Sequence, residues 1–174
     1  RERRRRQTAD EIQDAALRLA LRVGYDSVTT EAISAEAGVS ARTFFNYYPN
    51  KQAAVLGSPP CLDVEGAGWF LASHAPLIED LVALLSGLLS EKRLDRGKIR
   101  MIHDVLAASP ELEPLFHEML DGNTRILSDL LQARLGATQA AEAELLAALA
   151  TGALSHAVRD WAGDDAMPED RIPV

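Results

Sequence analysis

Cysteine is almost absent from this 174-residue chain, with Cys61 standing alone. An internal disulfide framework is therefore excluded and a reducing compartment fits. Any redox role would rest on one thiol beside Pro59 and Pro60, where an inert loop cysteine is the plainer reading. Aromatic residues supply only 5% of the chain, so leucine and alanine must fill the core. No run of about 18 apolar residues occurs, which leaves no candidate transmembrane helix. The basic N-terminus is not followed by the apolar stretch of a signal peptide, and a soluble cytoplasmic protein with no membrane partner is expected. His74, His103, His117 and His156 are scattered without metal-ligand spacing, so no metal is predicted. A phosphate loop, a nucleophile elbow and a dinucleotide fingerprint are all missing, and Asp104, Glu111, Glu113 and Glu118 read as solvated faces of charged helices. Neither a cofactor nor an enzyme is predicted. Strand-like alternation and internal repeats are lacking too, and the fold class is all-α.

Positive charge is also scarce, with 18 Lys and Arg against 26 Asp and Glu and a net charge of −8. That balance argues against a nucleic-acid binder until it is divided along the chain. Residues 1–55 hold nine basic residues (Arg1, Arg3, Arg4, Arg5, Arg6, Arg18, Arg22, Arg42, Lys51) and seven acidic ones, leaving nine and 19 for the remainder. The two parts thus differ in sign, and the acidic one would discourage nonspecific contact with DNA.

What is present is concentrated between Val28 and Lys51, which reads VTTEAISAEAGVSARTFFNYYPNK. Thr29 can cap a helix of about two turns with Ala32, Ile33, Ala37 and Val39 on its buried side, and Gly38 supplies the left-handed residue that ends it. Ser40 then caps a second helix, Ala41 to Tyr48, closed by Pro49. This is the layout of a helix-turn-helix, with Arg42 and Thr43 near the end that enters a major groove. Phe44 is expected to pack inward and Phe45 to sit at the edge of the DNA-facing surface, with Asn46, Tyr47, Tyr48 and Lys51 on the polar side.

Residues 1–55 are read as the DNA-binding domain, with a basic arm at 1–7, residues 56–75 as a linker and 76–174 as a helical body. The arm is either a solvated terminus or a minor-groove or phosphate contact. Thr8-Ala9-Asp10-Glu11 is a capping box before a first helix that ends at Gly24. Asn50 can cap a short fourth helix, after which Gly57-Ser58-Pro59-Pro60 and Gly66-Ala67-Gly68 break the chain. Beyond Pro76 come four helices: one with Leu77, Ile78, Leu81, Leu84, Leu85, Leu88 and Leu89 on a broad face, and one from Ile99 to Leu106. A long third has a kink or break near Asp121-Gly122-Asn123, and a small-residue fourth spans about Ala140 to Trp161. Its face of Ala148, Thr151, Gly152, Ser155 and Ala157 is either internal packing or, preferred because one such reader spans only half a two-fold site, a homodimer seam.

Thr29, the Ala37-Gly38-Val39-Ser40 turn, Thr43-Phe44-Phe45, Tyr47-Tyr48 and Lys51, within residues 8–55, resemble the signature of the TetR family of bacterial transcriptional regulators. The resemblance implies an N-terminal three-helix DNA-binding domain, a helical ligand-binding and dimerisation domain, and a double-stranded DNA operator as partner. It also implies that Thr29, Thr30, Ser40, Thr43, Tyr47 and Lys51 face the DNA, mostly at phosphates. Arg42 suits a bidentate guanine contact, Ala41 and Phe45 thymine methyls, and Asn46 either adenine or a phosphate or water contact. A small-molecule inducer pocket is implied as well, for which Trp69, Phe70, Met101, His103, Phe116 and Met119 are candidates, with core packing as their alternative. Two departures stand out: the fourth helix is interrupted, and the chain ending at Asp170-Arg171-Ile172-Pro173-Val174 leaves the family's last helix without a counterpart. The function expected is a ligand-responsive repressor acting as a homodimer; the rival is a helical partner- or ligand-binding module whose DNA binding is vestigial.

Overall fold

A computed structural model describes residues 2–58, 61–91 and 94–164 of the chain. Arg1 of the basic arm, the Pro59-Pro60 pair and residues 170–174 lie outside the described residues. Among those described there are nine α-helices and no strand: α1 Glu2–Val23, α2 Thr30–Glu36, α3 Ala41–Tyr47, α4 Lys51–Leu56, α5 Gly68–Ala72, α6 Leu77–Glu91, α7 Arg96–Ala108, α8 Glu113–Leu135 and α9 Ala140–Gly163. The chain is all-α, as its pattern predicts. Two compact units form, one from Arg1–Ser58 with Gly97–Phe116, the other from Pro59–Arg96 with His117–Val174. These do not follow the expected boundaries of 1–55 and 76–174, because most of α7 packs with the N-terminal helices.

In the first unit α1 is the scaffold. Ile12, Ala15, Ala16, Leu19 and Ala20 recur at helical spacing and are all buried. The helix starts at Glu2, so residues 3–6 of the basic arm are helical and the Thr8 capping box does not mark the start. Arginine is a good helix former, and the Gln7 amide donates to Glu11 one turn on (3.0 Å), which carries the helix through Thr8. Val105 and Leu106 of α7 and Leu112 just beyond it are buried. Lys98 of α7 pairs with Asp10 (3.2 Å) and Asp14 (3.0 Å) of α1.

The second unit is built on Phe70, Leu81, Leu84, Leu85 and Leu88 with Leu127, Leu130 and Leu131 of α8 and Ala143 and Ala147 of α9. The expected linker contributes to this core. Leu62, Ala67 and Phe70 are buried in it, and the Gly66 region is a tight turn in which the Glu65 amide donates to Asp63 Oδ1 (3.1 Å). The Arg134 guanidinium lies 4.7 Å over the Phe70 ring, donates to Ala75 O (2.9 Å) and pairs with Asp80 (2.6 Å). A hydrogen bond from Ser73, and next Arg134, hold the Asp80 carboxyl below the usual carboxylate range. Helix α8 runs unbroken through Asp121-Gly122-Asn123, where the sequence predicts a kink or break. Asn123 Oδ1 accepts from Leu62 N (3.0 Å) instead of competing for its own backbone. Ile78, grouped with the leucines on the broad apolar face of α6, is exposed.

The C-terminus of α4 is fixed to α1 by a close approach. Gly57 ends α4 at φ 71°, and a Cβ there would collide with the side-chain amide of buried Gln13, which donates to Val55 O (3.4 Å). Gly57→Ala should therefore lower the unfolding free energy by about 1–3 kcal/mol, combining the positive-φ cost with the displaced amide. Urea denaturation should show a lower midpoint at unchanged slope.

Candidate nucleic-acid interface

Each helix of the reader is started by a side chain that local rules identify. Thr29 is extended, and its hydroxyl accepts from Ala32 N (3.1 Å) to begin α2. Ile33 and Ser34 are buried there, with Ala32, Ala37 and Val39 half-buried. Gly38, at φ 66°, turns the chain. Ser40 Oγ then accepts from Thr43 N (3.0 Å) to begin α3, and the Ser40 and Thr43 hydroxyls meet at 2.8 Å.

The rotation of α3 about its axis is set by two aromatic rings. Phe44 is completely buried, and Phe45, 54% exposed, meets it edge to face at 5.2 Å. Tyr48 is buried as well and donates its hydroxyl to Ala9 O (3.2 Å), so it leaves the polar side assigned to it. Its position four residues after Phe44 is the signal that places it on the same face. Burial first, and then Asp10 and Asp14, push the Tyr48 hydroxyl up to about 12. With these rings inward, the exposed side of α3 carries Ala41, Arg42, Phe45 and Asn46, while Thr43 and Tyr47 are half-buried. Neither Arg42 nor Asn46 has a hydrogen bond or ion pair among the described residues. No acidic residue lies on α3.

The remaining predicted DNA contacts are partly committed within the unit. Thr29, Ser40 and Thr43 use their hydroxyls in the caps. Thr30 Oγ1 donates to Glu31 (3.2 Å). The Lys51 ammonium donates to Tyr25 O (3.1 Å) and Asp26 O (3.3 Å) and stands 4.4 Å over the Tyr25 ring, tying α4 to the turn before α2. The Tyr25 hydroxyl is buried with no hydrogen-bond partner among the described residues, and burial, followed by Glu111 and Asp26, raises its pKa.

Several carboxylates around the reader are neutralised locally. Arg22 (3.1 Å) and Arg18 (3.6 Å) hold Glu36, and the Arg22 hydrogen bond is the chief reason its carboxyl sits below the ordinary range. Burial disfavours the Lys98 ammonium, but Asp14 and Asp10 together outweigh it and raise its pKa. Sequence reasoning missed Lys98, which no local pattern marks.

The candidate pocket residues are not brought together in either unit. Trp69 is exposed and Phe70 buried on α5, with Met119 half-buried in the same unit. Met101, His103 and Phe116 are half-buried in the other, the His103 and Phe116 rings 6.1 Å apart. On α9, Thr151 and Ala157 are half-buried, and Thr151 Oγ1 bonds Ala147 O (2.8 Å) and Thr124 Oγ1 (2.9 Å). Ala148, Gly152 and Ser155 are exposed beside Leu145 (60%) and Leu149 (62%), which the sequence reading passed over. Among the described residues, no helix is long and apolar enough to cross a membrane and no His, Cys, Asp and Glu group forms a metal site.

Two capped helices joined through a left-handed glycine, the second with an acid-free face and an uncommitted arginine, define a DNA-binding protein of the helix-turn-helix class. Residues 12–56 match the bacterial regulatory proteins of the tetR family. Over 138 residues the chain is 29% identical to a Mycobacterium tuberculosis (strain ATCC 25618 / H37Rv) protein described as the mycofactocin biosynthesis transcriptional regulator MftR, covering 77% of this chain and 69% of that one. The resemblance to the tetR family is thus carried by the helix-turn-helix segment, and over most of its length the chain is similar to a transcriptional regulator.

The two buried tyrosines predict opposite responses. Tyr48→Phe loses the bond to Ala9 and should cost about 1 kcal/mol, whereas Tyr25→Phe removes an unpaired buried hydroxyl and should be neutral or stabilising. Thermal melts of the two variants distinguish them.

Proposed function

We propose that this protein is a ligand-responsive repressor that reads a pseudo-palindromic operator as a homodimer. The observation that carries the reading is the free side of α3, where Arg42 and Asn46 are exposed and uncommitted on a helix without acids. Arg42 takes a guanine through a bidentate pair, and Asn46 offers its amide to an adenine. Thr29, Thr30, Ser40, Thr43, Tyr47 and Lys51 line the DNA at phosphates, Lys51 with the one ammonium proton not given to Tyr25 O and Asp26 O. Support for pairing through α9 comes from its exposed apolar side, Leu145 and Leu149 with Ala148 and Gly152, since two readers must be held about one helical turn apart on the duplex. An inducer would act by favouring the dimer whose readers are wrongly spaced, through differential affinity alone.

Selection from a random duplex library at about 150 mM salt tests the reading. An inverted repeat should emerge. Arg42→Ala should lose the preference at one base pair per half-site, each lost contact costing about 5- to 150-fold in affinity. A folded protein that enriches no sequence would overturn operator reading and favour a partner-binding helical module. In the same way, Leu149→Glu should convert the dimer to a monomer in light scattering, and a variant that stays dimeric would place the seam elsewhere.

A further inference from the structure

We propose that two copies of this chain are set in register by an ion pair between Arg125 of one copy and the partner's Asp129. The pair is made twice, about a two-fold axis that crosses α9 at right angles near Ala148 and Leu149. The inference rests on the homodimer reading and deepens it. Arg125 is exposed on α8 and has no hydrogen bond or ion pair among the described residues. Asp121 and Asp129 stand one turn to either side of it, exposed and equally unengaged. Exposed pairs at that spacing on one helix contribute little, so nothing holds the guanidinium to its own chain. The other arginines described in this unit are engaged: Arg134 with Asp80, Arg96 with the Trp161 ring and Arg159 with His156.

The exposed apolar strip of α9 consists of Leu145, Ala148, Leu149 and Gly152. A stable interface buries about 800 Å² on each partner, more than two leucines and two small residues supply. The helix beside α9 must contribute. Helices α8 and α9 follow one another through Gly136 and a single 3-10 turn and run antiparallel, and the Thr124 and Thr151 hydroxyls meet between them at 2.9 Å. From that contact, steps back along α9 match steps forward along α8. Ala148 and Leu149, the middle of the strip, therefore lie level with Leu127 and Ile126. Arg125 falls on one side of that level and Asp129 on the other. A perpendicular two-fold axis exchanges the sides, which brings each Arg125 to within about 1.5 Å, along the helix, of the level of the partner's Asp129. An axis parallel to the helices would instead set Arg125 against the partner's Arg125 and Asp129 against the partner's Asp129. The order of charges on α8 thus favours one arrangement and penalises the other.

The test uses the whole chain in three forms, wild type, Arg125→Asp and Asp129→Arg, with dimer dissociation read by sedimentation velocity at low salt and helix content by circular dichroism. Each variant alone turns two attractive pairs into two repulsive ones and should weaken its dimer about tenfold or more. An equimolar mixture of the two restores opposite charges at both places, so a mixed dimer of near wild-type affinity should form. Recovery of that kind cannot come from a misfolded variant. At high salt the differences should shrink. The proposal is overturned if either variant dimerises as tightly as wild type, or if the mixture recovers nothing. A wild-type chain that stays monomeric would instead overturn the homodimer reading itself, so the two failures are distinguishable.

Discussion

The complete burial of the Phe44 ring is the constraint on which the reader depends. A seven-residue helix has little stability alone, so its orientation comes from what it inserts into its neighbours. Phe44 and Tyr48, one turn apart, face the same way, and the Tyr48 hydroxyl fastens that face to the Ala9 carbonyl of α1. Once those rings are inward, helical geometry leaves Arg42 and Asn46 no choice but the opposite side, with Phe45 at its edge and Ala41 exposed at the start of the helix. The exposed face of α3 is thus a consequence of core packing, and its polar residues need no support of their own.

Electrostatics bears on how so acidic a chain could present α3 to DNA, as proposed. Glu36 is held by Arg22 and Arg18, and Asp10 and Asp14 share Lys98. These pairs are exposed or half-exposed and contribute modestly to stability. Their larger effect is to neutralise carboxylates near α3, which itself contributes only positive charge. Lys98 brings a helix from late in the sequence into the N-terminal unit, making that unit larger than the first four helices.

Local chemistry made part of this architecture legible. The caps Thr29, Ser40 and Asn50 and the left-handed Gly38 are short-range features, and the structure forms each of them. The inward Phe44 and outward Phe45 follow from helical periodicity in the same way. Less visible were features settled by distant partners. Lys98 meets Asp10 across 88 residues, and Arg134 meets Ala75 across 59, so neither α7's place nor the order in the supposed linker is written in any window. Thr8 shows the opposite failure, a sound capping signal overridden by the helix propensity of the arginines before it. On α9, an apolar composition all round hid the difference between the inward Thr151 and the outward Leu145 and Leu149.

The central claim is that the face of α3 opposite Phe44 is the surface that meets DNA. Amide chemical-shift mapping of the labelled protein, titrated with its selected operator and with a scrambled duplex, tests it most directly. The account predicts that the shifts unique to the operator concentrate at Ala41, Arg42, Phe45 and Asn46, with Phe44 and Tyr48 little affected. Operator-specific shifts confined to other helices, with those four amides unmoved, would contradict it.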